Sequence, residues 1–275
     1  MAAEVTPVEL NNKTVERLLD PMRARPQSAA VMCDIDGTLA PIVDEPQSAV
    51  VPDVARTLLA DLSRRYALVG CVSGRRAEEA RRMVGVESLT YIGNHGFEVL
   101  RPGAARAETV RAVEAAAEAV RRFAESSYSG KLADIGIRLE DKHSIYSFHW
   151  REAVDEESAR SELARIAAAA EAGGLAPHWG RKVLEIRPPV AIDKGTALES
   201  VLREANVTCA LYGGDDTTDL DAFRSLRALR REGTLSHAVC VGVRSDEGPE
   251  QISTAADLVV DGPAGFLDVL TMLAS

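Results

Sequence analysis

The chain has 275 residues, of which 46% are hydrophobic and 27% charged, and a formal net charge of -10. This length admits one large domain or two smaller ones, and the composition is that of a globular protein. The negative charge argues against binding to nucleic acid or to an anionic membrane, because their phosphates would repel the chain overall.

Membrane and export signals are missing from the sequence pattern. No stretch approaches the roughly 18 consecutive apolar residues of a membrane span. The first twenty residues lack the basic start and apolar run of a secretory signal. We therefore expect a cytoplasmic protein, which we also expect to be a monomer.

The four cysteines each lie in a separate apolar run, without a C-x-x-C pair: Cys33, Cys71, Cys209 and Cys240. Apolar surroundings and the expected reducing compartment favour buried, reduced thiols over a disulfide or a zinc site.

Short apolar runs bounded by turn residues predict a set of buried parallel strands. These runs are AAVMC (29–33), YALVGCV (66–72), LTYIG (89–93), CALYG (209–213), HAVCVGV (237–243) and DLVV (257–260). Helical spacing of Leu, Val and Ala predicts helices at 53–65, 75–83, 194–205 and 220–230. The alternation predicts a doubly wound α/β domain, whose ligand crevice lies at the carboxyl ends of its strands.

This pattern breaks between about residues 98 and 189. The stretch contains two helical patterns, at 108–125 and 154–172, and three alternating stretches, ADIGIRLE, HSIYSFHW and HWGRKVLEIRP. We predict a small α+β domain at 99–189, inserted between a first core part at 1–98 and a second at 190–275.

Two aspartates follow the first predicted strand in DIDGTL (34–39). An EF-hand loop is one alternative, but it requires glycine where Leu39 stands, and a strand precedes the motif. A solvated turn is the other alternative. Three more polar motifs stand at strand ends or helix starts: VSGR (72–75), DKG (193–195) and GGDDTTD (213–219). A doubly wound sheet would gather all four on one edge, which favours a functional site.

The aspartates of these motifs predict a divalent cation site. Two carboxylates about 4 Å apart repel each other by roughly 4 kcal/mol at an effective dielectric constant of 20, and a cation relieves that repulsion. Oxygen ligands with water favour Mg²⁺. The candidate metal residues are Asp34, Asp36, Asp215, Asp216 and Asp219.

The same edge has the groups that phosphoryl transfer requires. Ser73, as a hydroxyl donor, and Lys194, as a positive charge, are suited to holding phosphate oxygens. Asp34 is the candidate nucleophile, and Asp36 the candidate acid and base. Thr38 is a candidate phosphate donor.

Taken together, these motifs resemble the haloacid dehalogenase superfamily. Within it, DIDGTLAPIVDEP, VSGR, YIGNHGFE, LEDKHS, HWR, GRKVLEIRP, DKG and GGDDTTDLDAF look like the trehalose-6-phosphate phosphatase family. The resemblance implies a Rossmann-like core with an inserted cap domain of the C2 type, Mg²⁺ as cofactor and a small-molecule sugar phosphate as substrate.

The resemblance also implies roles for individual residues. Asp34 would be nucleophile and metal ligand, Asp36 would give its backbone carbonyl to Mg²⁺, and Asp215 would complete the protein ligands. Asp216 and Asp219 would support the metal and its waters. Family positions that hold the sugar correspond to Glu140, Lys142 and Glu185. Leu220 stands where the family often has an acidic residue, and we expect it to face the helix.

Several assignments have structural alternatives. Glu140 and Lys142 could form a solvated strand edge, and Asn94 and His95 could hold substrate or fix the crossover between the domains. Arg75 is a substrate-binding candidate that could instead pair with site carboxylates.

Two alternatives concern the function itself. The enzyme could act on another sugar phosphate, such as sucrose phosphate, glucosylglycerol phosphate or mannosylglycerate phosphate. The chain could also be a catalytically silent sugar-phosphate sensor, although Asp34 and Asp36 are both present.

Overall fold

A computed structural model describes residues 12–43, 48–180, 182–245 and 248–275 of the chain. The final residues of DIDGTLAPIVDEP and Arg181 of GRKVLEIRP lie outside these ranges. The chain divides into two compact units. One, the core unit, consists of Met1–Glu108 and Ile192–Ser275; the other, the inserted unit, is Thr109–Ala191.

The core unit is built on a sheet of eight strands among the described residues, in the order β12-β11-β10-β1-β2-β3-β4-β5. Its strands are β1 (Ala29–Cys33), β2 (Leu68–Val72), β3 (Thr90–Gly93), β4 (Glu98–Leu100), β5 (Glu108–Thr109), β10 (Cys209–Gly214), β11 (His237–Arg244) and β12 (Leu258–Asp261). The strands from β12 to β3 pair in parallel, so their carboxyl ends meet at one edge of the sheet. The predicted doubly wound parallel sheet is confirmed.

Helices cover both faces of this sheet. The core helices are α1 (Asn12–Ala24), α2 (Asp53–Arg65), α3 (Ala77–Val84), α7 (Lys194–Glu204), α8 (Asp219–Arg231), α9 (Glu250–Ala255) and α10 (Gly262–Ala274). One apolar layer contains side chains of α1, α2, α3 and α10, and the other contains side chains of α7, α8 and α9. In β1, Val31 belongs to the first layer and Met32 to the second, and the whole strand is buried. Burial on both faces explains why AAVMC is apolar without alternation.

The strands β4 and β5 are not among the predicted elements. β4 runs antiparallel to β3, with Ile92 opposite Val99. Both strands are very short, with three and two residues, so no periodicity marks them in the sequence. Because they extend the core sheet, the inserted unit begins later than the expected residue 99.

The inserted unit has its own sheet, in the order β6-β7-β9-β8, and its own helices. These elements are α4 (Arg111–Ser127), α5 (Gly130–Asp134), β6 (Arg138–Asp141), β7 (Tyr146–His149), α6 (Glu156–Ala172), β8 (Ala176–Gly180) and β9 (Val183–Arg187). All its strand pairs are antiparallel. A third apolar cluster, formed only by residues of this unit, includes Phe148, Leu163 and Ile186.

All four cysteines lie in the described ranges, and each is buried with a free thiol, which confirms the prediction of buried thiols. Among the described residues, the helices are all too short or too polar to cross a lipid bilayer.

Candidate active site

The first acidic motif forms a tight turn at the carboxyl end of β1. The Asp34 N–H donates to the Gly213 carbonyl on β10, 2.9 Å away. The Gly37 N–H donates to the Ala40 carbonyl at 2.7 Å and closes the turn. Asp34 is therefore fixed between the two central strands, which the order of the sheet places side by side.

Gly37 allows this turn to lie directly against a second acidic motif. Its φ is +85°, and a Cβ atom at this position would lie 2.0 Å from Asp215 Oδ2. The next residue, Thr38, is fully buried and donates its hydroxyl to Asp215 Oδ1 at 3.0 Å. The predicted phosphate donor Thr38 thus positions a carboxylate in this structure.

Three buried carboxylates converge at the strand ends. Asp34, Asp215 and Asp219 are 6%, 3% and 0% exposed. One oxygen from each lies within 4.8 Å of those from the other two. These residues come from two motifs separated by the inserted unit, and the parallel sheet brings them together as the sequence predicts.

Burial, together with the closeness of these acids, raises the pKa values of Asp34 and Asp215. Burial raises the pKa of Asp34 well above its usual range, and Lys194 only partly opposes this effect. Burial, with the neighbouring charge of Asp219, raises the pKa of Asp215 to about 7. The cluster therefore has more negative charge than its protein surroundings stabilise, which is the electrostatic condition for binding a cation.

Lys194 provides a positive charge at this cluster. It is the first residue of α7, and it is 3% exposed. Its Nζ lies 3.2 Å from Asp34 Oδ2 and 2.7 Å from Asp219 Oδ1. Burial alone would lower the pKa of Lys194, but the carboxylates of Asp219 and Asp34 raise it above its usual value. The ammonium group is therefore held charged beside Asp34.

The carboxylate of Asp219 is occupied by hydrogen bonds. Its Oδ1 accepts from Lys194 Nζ and from the Tyr212 hydroxyl, each at 2.7 Å. Its Oδ2 accepts from the backbone N–H groups of Asp215 and Asp216, at 3.1 and 3.0 Å. A carboxylate has about four acceptor positions, and these four donors fill them. Distance alone would admit Asp219 as a direct metal ligand, but its bonding argues that it acts through Lys194 and the loop.

The residues present fit a divalent cation. Asp34 and Asp215 offer buried carboxylate oxygens close together, and hard oxygen ligands suit Mg²⁺. Asp216 is exposed, its Oδ1 accepts from the Thr217 N–H, and its carboxylate lies outside the buried cluster.

The carboxylate of Asp36 is paired with Arg75. Arg75 donates from Nε and Nη2 to the two Asp36 oxygens, both at 2.8 Å, and from Nη1 to Glu79. Bidentate pairing of this kind adds geometric specificity as well as binding energy. Among the alternatives for Arg75, the structure has the pairing with site carboxylates.

Ser73 and the Asn94-His95 pair meet where β2 and β3 end. Ser73 is buried, and its Oγ accepts from the Arg75 N–H at 3.1 Å. The Asn94 N–H donates to the Arg75 carbonyl and the His95 N–H to the Ser73 carbonyl. Asn94 and His95 both have positive φ, 48° and 57°. These two residues therefore fix the turn after β3 against the loop that holds Ser73.

In the inserted unit, one face of the sheet contains a row of polar side chains. Glu140, Ser147 and Glu185 are paired in register on β6, β7 and β9, so their side chains point to the same face. Glu140 Oε2 accepts from His149 Nε2 at 2.7 Å, and this bond lowers the pKa of Glu140 below its usual value. The sugar-binding candidates of this unit thus share one face.

Glu185 lies at the centre of this row. It is 4% exposed, and its Oε1 accepts from Lys142 Nζ at 2.9 Å and from Ser147 Oγ at 3.2 Å. Its Oε2 accepts from Arg187 Nε at 3.0 Å. Two cations therefore hold one buried carboxylate in place.

The network residues that were not among the candidates include Tyr212, Ser147 and Arg187. Tyr212 stands in the apolar run CALYG, where a buried tyrosine hydroxyl needs a partner. Ser147 lies two residues before His149 in β7, and Arg187 lies two residues after Glu185 in β9. Because side chains two residues apart in a strand share a face, the sequence could have placed each of these residues on the same face as its neighbour.

Comparisons with known proteins identify relatives of the chain. Residues 32–263 match the model of the trehalose-phosphatase family. The chain is 34% identical to the trehalose-phosphate phosphatase of Mycobacterium avium over 255 residues, covering 89% of this chain and 62% of that protein. It is 32% identical to trehalose 6-phosphate phosphatase RA3 of Zea mays over 269 residues, covering 92% and 71%.

Some relatives are much longer. An uncharacterized glycosyl hydrolase of Mycobacterium tuberculosis is 35% identical over 209 residues, which cover 72% of this chain and 15% of that protein. The chain thus spans less than two thirds of the length of several curated relatives.

Solved structures share the fold. The C-terminal domain of the C. albicans trehalose-6-phosphate phosphatase matches with a TM-score of 0.75 at 21% identity, covering 99% of both chains. A trehalose-6-phosphate phosphatase related protein matches with a TM-score of 0.72 at 23% identity, covering 89% of this chain and 96% of the other. The family model, which spans most of the sequence, establishes that the chain belongs to the trehalose-phosphatase family.

Proposed function

We propose that the protein is a Mg²⁺-dependent phosphatase that hydrolyses trehalose 6-phosphate to trehalose and inorganic phosphate. The observation that carries this proposal is the buried group of Asp34, Asp215 and Lys194 at the carboxyl ends of the core strands. Family membership supports the choice of substrate.

Asp34 is the nucleophile in this proposal. Its oxygen attacks phosphorus and forms an aspartyl phosphate, while the bond from phosphorus to the sugar oxygen breaks. Lys194, 3.2 Å from Asp34 Oδ2, reduces the repulsion between the carboxylate and the incoming phosphate. The Ser73 hydroxyl has one donor position, which suits a phosphate oxygen.

Asp36 moves the protons. It gives a proton to the departing sugar oxygen, and in the second half it takes a proton from the water that attacks the phosphorus of the aspartyl phosphate. This returns Asp34 as a carboxylate and releases phosphate. Arg75 orients Asp36, and its hydrogen bond to one of the two Asp36 oxygens has to open before that oxygen gives or takes a proton.

Mg²⁺ would be held by the side chains of Asp34 and Asp215 and by the Asp36 carbonyl. When bound, it offsets negative charge on the phosphate and on the nucleophile. Asp216 and Asp219 support the loop between β10 and α8 and are not direct ligands in the proposal. The acceptor positions of Asp219 are filled, and Asp216 is exposed.

The sugar would be recognised by Glu140, Lys142 and Glu185 of the inserted unit. Disaccharide hydroxyls need paired donors and acceptors, and this row provides carboxylates and a cation on one face. In the core unit, Asn94 and His95 are proposed as further substrate-binding residues.

The test measures phosphate release from a panel of sugar phosphates, with Mg²⁺ and with a chelator. We expect turnover of trehalose 6-phosphate to exceed that of sucrose 6-phosphate and glucose 6-phosphate, and the chelator to abolish it. Preference for a monosaccharide phosphate would refute the proposed substrate. Binding of sugar phosphates without any turnover would favour the sensor alternative.

A matched pair of variants tests the sugar contacts. Glu185→Gln should raise KM for trehalose 6-phosphate by about tenfold, because the neutral amide no longer holds Lys142 and Arg187 in place on the proposed sugar-binding face. Glu162→Gln is the control, since Glu162 is a carboxylate of the same unit that also pairs with one lysine and one arginine, Lys131 and Arg165. Equal KM values in the two variants would remove Glu185 from the sugar site.

A further inference from the structure

Tyr212 connects the apolar layer of the core to its acidic cluster. Its side chain is fully buried in the layer between the sheet and the helices α7 and α8. The ring packs edge-on against Phe223 of α8, with centroids 6.1 Å apart and an interplanar angle of 81°. This packing fixes the ring, and the hydroxyl reaches Asp219 at 2.7 Å.

The hydroxyl shares one carboxylate oxygen with Lys194. Asp219 Oδ1 accepts from the Tyr212 hydroxyl and from Lys194 Nζ at equal distances, 2.7 Å. Lys194 is also 3.2 Å from Asp34 Oδ2, so its ammonium group lies between two competing carboxylates. A second donor to Asp219 Oδ1 offsets part of the negative charge on that oxygen, so the oxygen attracts Lys194 Nζ less strongly. A position of the ammonium group nearer to Asp34 is then favoured.

We propose that Tyr212 is a positioning residue for phosphoryl transfer, which sets the place of Lys194 between Asp219 and Asp34 by donating to Asp219. This inference rests on the proposed function, because Lys194 acts there on the phosphate beside Asp34. Without the Tyr212 hydroxyl, Asp219 Oδ1 keeps only one of these two donors, Lys194. The ammonium group then moves toward Asp219 and leaves the phosphate position with less positive charge.

The variant Tyr212→Phe removes the hydroxyl and keeps the ring that packs on Phe223. Tyr91→Phe is a matched control in the same sheet, since Tyr91 is also fully buried and its hydroxyl donates over the same 2.7 Å, to the Val86 carbonyl. Both variants lose one buried hydrogen bond of equal length. The Tyr91 hydroxyl bonds the Val86 carbonyl and no carboxylate of the acidic cluster. The control variant therefore measures the effect of losing a buried hydrogen bond away from that cluster.

The experiment measures binding of inorganic phosphate by calorimetry in the presence of Mg²⁺, together with kcat, KM and the melting temperature, on the full chain. We expect Tyr212→Phe to weaken phosphate binding by about threefold to tenfold and to lower kcat by about tenfold, with KM changed less. Tyr91→Phe should bind phosphate as the wild type does, although its melting temperature also falls.

Two results would overturn the inference while leaving the proposed function standing: Tyr212→Phe with wild-type phosphate affinity and kcat, or equal losses of affinity in both variants. A wild-type chain that binds no inorganic phosphate with Mg²⁺ present would instead refute the proposed function, and this inference with it. The phosphate titration of the wild type therefore separates the two failures.

Discussion

Gly37 is a residue at which the backbone of one motif lies directly against the side chain of another. Its φ of +85° favours glycine, and a Cβ atom there would overlap Asp215 Oδ2 at 2.0 Å. The turn conformation and the contact with Asp215 are therefore two separate reasons for glycine at this position.

We predict that Gly37→Ala destabilises the fold by about 3 kcal/mol and weakens Mg²⁺ binding, because the Asp215 carboxylate must move. Gly103→Ala is the control, since Gly103 also has positive φ, 73°, but no atom of the described residues lies within 4 Å of a Cβ added there. It should lose only about 1 kcal/mol. Chemical denaturation and a Mg²⁺ titration measure both effects. Equal losses in the two variants would show that the contact with Asp215 is unimportant.

The sequence predicts the convergence of the acidic residues better than it predicts their bonding. Asp34, Asp215 and Lys194 stand at strand ends or a helix start, and parallel strands bring such positions to one edge. The partners of Thr38 and Arg75 depend on side-chain orientation within that edge. Spacing along the chain does not determine that orientation, which explains why Thr38 holds Asp215 and Arg75 holds Asp36.

Among the elements, α7 positions Lys194 through its N-terminal cap. Asp193 Oδ1 accepts from the Thr196 N–H at 2.7 Å, and the Asp193 N–H donates to Thr196 Oγ1 at 2.9 Å. This reciprocal capping box fixes the first turn of the helix, in which Lys194 is the first residue.

We predict that Asp193→Ala lowers the free energy of unfolding by about 1 kcal/mol and weakens binding of inorganic phosphate, because the start of α7 frays. Asp155→Ala offers the comparison, since Asp155 caps α6 by accepting from the Ser158 N–H at 3.1 Å. It should cost a similar free energy without changing phosphate affinity. Unaltered phosphate affinity in Asp193→Ala would separate the cap from the function of Lys194.

Element prediction succeeds where burial imposes a long pattern. The runs that form β1 and α2 have the predicted bounds, because β1 is buried on both faces and α2 has a regular apolar stripe. ADIGIRLE fails as one strand: its first two residues end α5, and the strand β6 begins only at Arg138. The helix α5 has five residues, which is too short to leave a helical pattern in the sequence that could be told from the alternating one.

At the scale of the whole molecule, the two units have separate apolar clusters. The chain has two tryptophans, Trp150 and Trp179, and both lie in the inserted unit, with ring centroids 5.6 Å apart. Trp150 is buried, as core packing requires, whereas Trp179 is 40% exposed. Tryptophan fluorescence therefore reports on the inserted unit alone.

We predict that Mg²⁺ raises the unfolding midpoint detected by far-ultraviolet circular dichroism and leaves the midpoint of tryptophan fluorescence unchanged. The reason is that a ligand stabilises the unit that binds it, and the proposed ligands all belong to the core. Ca²⁺-free and Mg²⁺-free buffer with a chelator is the reference condition. Equal shifts of both midpoints would mean that the units unfold as one.

The central position of β1 has a consequence for synthesis of the chain. β1 lies between β2 and β10, but the whole inserted unit is translated before β10. Until residue 213 has left the ribosome, Asp34 lacks the carbonyl that holds its backbone, and one edge of β1 stays unpaired. A nascent chain therefore contains the candidate nucleophile long before it can assemble the reaction centre.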